Sequence, residues 1–340
     1  MRVLHVIQAM NSGGTETVLA NLANEQVSSG HSVGVLSMSG AMLDRLDPKI
    51  VKVTVSTRRA LIATLMIGVR SRRWDVVHVH QRSLSTFVAL VGYGAKVQHV
   101  EHVHNVFPGM DHKWTSFRAR KLIACGSSVA EMLAKDYGRD ESRIFLVKNG
   151  VADTGQRAVQ WEGGTFEVVN AARVVEQKNP LLFVEVLAQL VSRQLDVRGT
   201  WYGDGDLLPI VRQQIARRGL ESQVSFPGPI SNVHSELAKS HLLLLTSRHE
   251  GLPLTAIEAA SVGLPIVATD VGSIRDIVFH NHNGYLVDDL GNAASLAGFV
   301  ESLVVAEERH RTFGANSRRR FLEEFTLGRM SNDVLDVYEV

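Results

Sequence analysis

The stretch Glu250-Gly251-Leu252-Pro253-Leu254-Thr255-Ala256-Ile257-Glu258 stands between two short apolar runs, 242–245 and 265–268. Its Gly-Pro half reads as a loop and its second half as the start of a helix, so the whole spells strand, loop, helix, strand. A crossover of this kind is what two parallel strands need. The first N–H groups of a helix have no intrahelical partner and face anions well, so a phosphorylated ligand fits this place. Taken alone, Glu250 and Glu258 read equally well as ordinary surface and capping charges.

Outward from there the same alternation recurs. β-rich runs at 3–7, 33–38, 51–55, 76–80, 97–103, 122–125 and 144–147 fill the first half, with helical patterns between them. A second series runs through 166–171, 197–202, 224–226, 242–245 and 265–268. Such alternation predicts an α/β fold of two doubly wound, Rossmann-like domains. The polar stretch 156–164, after Asn149-Gly150-Val151, reads as the linker, giving domains at 1–155 and 165–322 and a terminal helical segment at 323–340. Two open sheets joined this way are expected to bind ligands at the carboxyl ends of their strands.

A chain of 340 residues, 45% apolar and 21% charged, suits two soluble domains, and a net charge of +1 gives no field for nucleic acid. The single Cys125 reads as a core residue and cannot form an intrachain disulfide, in keeping with a cytoplasmic location. No run reaches membrane-spanning length. Arg58 and Arg59 precede an apolar helical pattern that Arg70, Arg72, Arg73 and Trp74 follow. Two readings stay open: peripheral contact with an anionic inner membrane surface, or a helix packed on its sheet, favoured because Asp75 and a strand follow at once.

Arg173 and Lys178 follow the run 166–171, and Pro180 sets the next helix just beyond them. Two loop cations at a strand's carboxyl end suit a diphosphate. Gly13-Gly14-Thr15-Glu16 opens a helix after the first strand, where Gly14 lets a ligand approach the backbone; the spacing is not that of dinucleotide enzymes. His78, His80, His102 and His104 pair on strand faces, but no cysteine or convincing carboxylate set completes a zinc site, so no metal is expected. His104 reads instead as a hydrogen-bonding group at a strand end. Gly203-Asp204-Gly205-Asp206 reads as a glycine turn, not a cation site.

In combination these features resemble the retaining glycosyltransferases of family 4, enzymes of the GT-B fold. The resemblance rests on the E-x7-E pair Glu250 and Glu258, with Gly13 to Glu16, Asn149-Gly150-Val151, Arg173 to Lys178, Gly203-Asp204-Gly205 and Asp270-Val271-Gly272 in family order. It implies an N-terminal acceptor domain, a C-terminal nucleotide-sugar domain and a final helix crossing back to the first. It implies that Arg173 and Lys178 bind the donor diphosphate, Glu258 the ribose and Glu250 the transferred sugar. Gly251, Leu252, Pro253, Leu254 and Thr255 would line sugar and phosphates, His104 would be the family's histidine, Gly14 would approach diphosphate or acceptor, and Ile230 would end the nucleobase segment. The reaction implied is retaining transfer from a nucleotide diphosphate sugar, UDP-linked by family habit, to a saccharide or lipid-linked acceptor, without metal or cofactor. Ala172 and Ala152 depart from the family's usual glycine and aspartate at those places. A sugar-nucleotide epimerase or hydrolase, or a non-catalytic binding subunit, remains an alternative.

Overall fold

The computed structural model describes every residue except 72, 92–95, 108 and 110–112, with the side chain at 91 also left aside; Arg72 thus lies outside the described residues. The chain divides into two compact units, residues 1–152 with 326–340, and residues 153–325.

The first unit is a parallel sheet of β1 (Arg2–Ala9), β2 (Ser32–Met38), β3 (Val51–Val55), β4 (Val76–Val79), β5 (Gln98–Val103), β6 (Lys121–Ala124) and β7 (Ile144–Leu146), in the order β3-β2-β1-β4-β5-β6-β7. Its helices include α1 (Gly14–Ser28), α2 (Arg58–Arg70), α3 (Arg82–Val91) and α4 (Ser127–Glu131), the last running into a π turn at Met132–Asp136. Alternate residues of one strand face opposite sides. Leu4 and Val6 therefore pack with Leu61, Leu65 and Val69 of α2, while Ile7 packs with Leu19 and Ala23 of α1. α2 is thus a sheet-covering helix, with Arg58, Arg59 and Arg70 exposed.

The second unit repeats the plan with β8 (Phe166–Ala171), β9 (Val197–Tyr202), β10 (Val224–Gly228), β11 (Leu242–Leu245), β12 (Ile266–Thr269) and β13 (Gly284–Val287), in the order β10-β9-β8-β11-β12-β13. Its helices are α5 (Pro180–Ser192), α6 (Leu208–Arg217), α7 (Val233–Ala238), α8 (Leu254–Val262), α9 (Ala293–Val304) and α10 (Glu307–Glu324). Pro227 is tolerated in β10 because that strand lies at the sheet edge. Trp201 stacks on Phe226 and meets Phe183 edge to face at the centre of a core that α5 and α9 close.

The last helix, α11 (Leu327–Glu339), belongs to the first unit. The turn between α10 and α11 falls at Phe325-Thr326, where the Thr326 hydroxyl accepts from the Arg329 N–H. Among the described residues no helix is long and apolar enough to cross a membrane.

Candidate active site

In both sheets the strand order reverses beside the first strand, between β1 and β4 and between β8 and β11. Open α/β sheets bind ligands at the carboxyl ends of the strands around that reversal. In the second unit the chain leaves β8 through Ala172, Arg173 and a tight turn at Glu176–Lys178, and leaves β11 through Thr246 to Glu250.

These two exits are laced together. The Thr246 hydroxyl donates to the Lys178 and Asn179 carbonyls (3.1 and 3.0 Å), Arg248 N–H donates to the Gln177 carbonyl (2.8 Å), and the Gln177 amide returns to the His249 carbonyl (3.0 Å). The lacing carries Lys178 Nζ to 2.5 Å from Glu250 Oε1, with both side chains mostly shielded from water, 18% and 8% exposed. Ser247 donates to the same oxygen at 2.6 Å, and Thr269 in turn fixes the Ser247 carbonyl at 2.6 Å. The bonds from Lys178 and Ser247 both fall on Oε1, and Glu250 Oε2 takes none among the described residues. Arg173 is exposed and makes no ion pair or hydrogen bond among the described residues.

Gly251, Leu252 and Pro253 form the approach to α8. Pro253 supplies the cap position and the helix starts at Leu254. Its first hydrogen bonds run from Ala256 and Ile257 back to the Pro253 carbonyl, so the N–H groups of Leu254 and Thr255 are not consumed inside the helix. Thr255 anchors this end by donating to the Ala171 carbonyl of β8 at 2.7 Å. Glu258 is half-buried one turn further on. Two glycines permit the crowding. Gly272 holds φ +58°, where a Cβ would collide with the Glu250 carbonyl, and Gly203 lies against the Ala172 carbonyl in the same way. At the Gly203 turn the Asp204 and Asp206 carboxylates are exposed, and Asp204 Oδ1 accepts from Gly205 N–H at 2.7 Å, as a turn requires. Ile230 is half-buried just beyond β10.

Arg173, Lys178, Glu250, Thr255 and Glu258 therefore stand on neighbouring strand exits of one sheet, and the network holding them includes Thr246, Ser247, Gln177 and Thr269, which sequence reasoning missed. Ser and Thr near a strand end carry no signal of their own.

Gly14 and His104 belong to the first unit. Gly14 begins α1, and the Gly13 carbonyl accepts from the Thr17 N–H and hydroxyl. His104 follows β5 and is half-buried, its Nε2 at 3.0 Å from His80 Nδ1. The structure adds His5 of β1 to the four histidines seen in the sequence: its Nδ1 is 3.0 Å from His80 Nε2 and its Nε2 is 2.8 Å from Gln26 Oε1 of α1. His78 Nδ1 is 2.6 Å from the Tyr338 hydroxyl of α11. Desolvation holds these rings far below the ordinary imidazole range, His5 at about 4 and His104 at about 3, and His78, His80 and His102 are lowered too. In the loop after β5, Phe107 is half-buried under the Arg82 guanidinium (4.9 Å) and Trp114 is 82% exposed.

Residues 153–320 match the family described as glycosyl transferases group 1, and residues 12–154 match glycosyltransferase family 4. Across its whole length the chain is 24% identical to the putative glycosyltransferase EpsF of Bacillus subtilis, covering 96% of it. It is 22% identical to the UDP-Gal:alpha-D-GlcNAc-diphosphoundecaprenol alpha-1,3-galactosyltransferase of Escherichia coli, with 88% of this chain and 86% of that protein aligned. Among solved structures, Anabaena HepE in complex with UDP-glucose superposes with a TM-score of 0.87 at 20% identity, over 100% of this chain and 99% of that one. The two Rossmann-like units are thus those of the GT-B fold. Matched from residue 12 to residue 320 by these two family models, the chain belongs to the family 4, group 1 glycosyltransferases.

Proposed function

We propose that the protein is a retaining glycosyltransferase that moves a sugar from a UDP-sugar to a hydroxyl of a saccharide or lipid-linked acceptor in cell-envelope or polysaccharide synthesis, on the cytoplasmic side of the membrane. The observation that carries this reading is the Lys178–Glu250 pair at the carboxyl ends of β8 and β11, with Arg173 left open beside it and the free N–H groups of α8 nearby. UDP is the nucleotide of choice because HepE was solved in complex with UDP-glucose and the Escherichia coli enzyme is named for UDP-Gal.

The bond from the anomeric carbon to the diphosphate breaks with both electrons going to the leaving oxygen. Arg173, Lys178 and the Leu254 and Thr255 N–H groups stabilise the charge that develops there. The acceptor hydroxyl attacks from the same face and gives its proton to the leaving phosphate oxygen, so the configuration is retained without a carboxylate nucleophile. Glu250 Oε2 accepts from a hydroxyl of the transferred sugar, Glu258 holds the ribose, and Ile230 closes the nucleobase segment. In the first unit, Gly14 and His104 are proposed as substrate contacts. Lys and Arg supply the cation that a metal would otherwise provide, so the reading is metal-independent.

The test is a screen of UDP-, GDP- and ADP-sugars by thermal shift and nucleotide diphosphate release, with and without EDTA, beside Glu258→Ala. One donor should stabilise the protein, the effect should vanish in the variant, and EDTA should leave the donor-induced shift and the nucleotide diphosphate release unchanged. Once an acceptor is in hand, NMR of the product should show the donor's anomeric configuration; an inverted product would overturn the mechanism.

A further inference from the structure

One face of the first unit's sheet replaces its aliphatic layer with imidazole. His5 on β1, His78 on β4 with His80 just beyond it, and His102 on β5 with His104 just beyond it place five rings on adjacent strands, because residues two apart in a strand share a face. Neighbouring rings stand 4.1 to 5.6 Å apart between centroids. Such a layer is expensive unless each ring nitrogen finds a partner. Four do not among the described residues: both nitrogens of His102, Nε2 of His78 and Nδ1 of His104 are buried and unpaired. His102 itself is 2% exposed.

We propose that His80, His102 and His104 form a binding site for one divalent transition-metal ion of the zinc class. The donor atoms of these rings lie within 4.8 Å of one another. A tetrahedral ion holding imidazoles at about 2.0–2.1 Å sets its nitrogens about 3.3 Å apart. His80 Nδ1 and His104 Nε2 already stand at 3.0 Å, so a small opening admits the ion. A second triad, His5, His78 and His80, is packed as closely, but His5 is engaged by Gln26 and His78 by Tyr338. His102 has no competing partner. Burial keeps the rings neutral, the form that offers a lone pair to a metal. On binding, the proton between His80 and His104 moves to the other nitrogen of the ring that carries it, so each ligand stays neutral. Imidazole donors with no thiolate suit zinc, nickel, cobalt or copper ahead of magnesium or calcium. Three neutral ligands leave a fourth position for an oxygen; His104 cannot hold the ion and a substrate at once, so the ion competes with the substrate contact proposed for this ring.

The experiment titrates the full-length chain, without a polyhistidine tag and after dialysis against chelator, with Co²⁺ and then Zn²⁺, following visible absorption and metal content by mass spectrometry. One Co²⁺ per chain should bind with a tetrahedral spectrum and be displaced by Zn²⁺. His102→Asn should weaken binding at least tenfold, while His241→Asn in the other unit leaves it unchanged. Circular dichroism checks that each variant is folded, and His104→Gln, at a less buried ring, carries the test if His102→Asn does not fold. Absence of Co²⁺ uptake by the folded wild type, or wild-type affinity in a folded variant of the triad, would overturn the proposal. Turnover of a sugar donor is not part of the readout, so the result is independent of the proposed reaction.

Discussion

Arg173 and Lys178 sit five residues apart and carry the same charge, yet their surroundings give them different consequences. Lys178 is bound to Glu250 in a shielded pair, and removing one member of such a pair leaves the other charge uncompensated, a loss of about 3–5 kcal/mol where burial is complete and less here. Arg173 is exposed and holds nothing among the described residues, so its removal should stay within about 0.5 kcal/mol of wild-type stability. A charge-assisted hydrogen bond to the diphosphate contributes about 1.5–3 kcal/mol. Arg173→Ala should therefore keep its Tm while kcat/KM for the donor falls about 10- to 150-fold, whereas Lys178→Ala should lose both Tm and activity. Equal Tm losses, or an Arg173→Ala enzyme as fast as wild type, would contradict the assigned role. The E-x7-E spacing and the Arg173–Lys178 spacing were legible because they fall in the short crossings that follow strong β patterns, Glu258 in the first turns of α8. The pairing of Lys178 with Glu250 was not, since it joins residues 72 positions apart through carbonyls that no side chain advertises.

At the scale of elements, the strands read from the sequence reappear with ends moved by one or two residues, most plainly where a strand is buried on both faces and so becomes a continuous apolar run, as in β11 and β12. β13 was missed: four residues at a sheet edge, between polar turns, show neither period nor length. His5 was missed as part of the histidine layer for a related reason. It stands alone in its strand, and only the β1–β4 register, in which His5 lies beside His78, brings it to the others. The start of α8 depends on a similar long-range tie, the Thr255 hydroxyl on the Ala171 carbonyl. Thr255→Val keeps the shape and deletes that bond, a loss of about 1–2 kcal/mol. Because the bond fixes the helix end whose N–H groups are assigned to the phosphates, donor KM should rise several-fold, measured beside Tm by scanning calorimetry. A lower Tm with unchanged KM would mean that α8 is positioned by packing alone.

At the scale of the whole molecule, the chain ends by supplying a helix to the unit with which it began. Leu327 N–H donates to the Val151 carbonyl at 2.9 Å, and Gly150 admits the Thr326 carbonyl against its backbone. Tyr338 then seals the histidine layer, its hydroxyl on His78 and its carbonyl accepting from the Gln98 amide at 2.9 Å, while Lys121 Nζ donates to the Val337 carbonyl at 2.6 Å. Met330, Val334, Val337 and Tyr338 are each less than 5% exposed. At about 1.5–3 kcal/mol for each of these four buried side chains, the helix contributes on the order of 6–12 kcal/mol. A domain's whole margin is about 5–15 kcal/mol. Truncation after Phe325 should therefore unfold residues 1–152, or leave them with only local protection, because it also uncovers His78 and leaves Lys121 without its carbonyl. Residues 153–325 have a separate core centred on Phe183, Trp201 and Phe226, and should keep their protection. Hydrogen exchange read by mass spectrometry distinguishes the two: deprotection confined to the first unit is the expected result. Wild-type protection throughout the truncated chain would mean that the first sheet closes its own core and that α11 is an accessory to it.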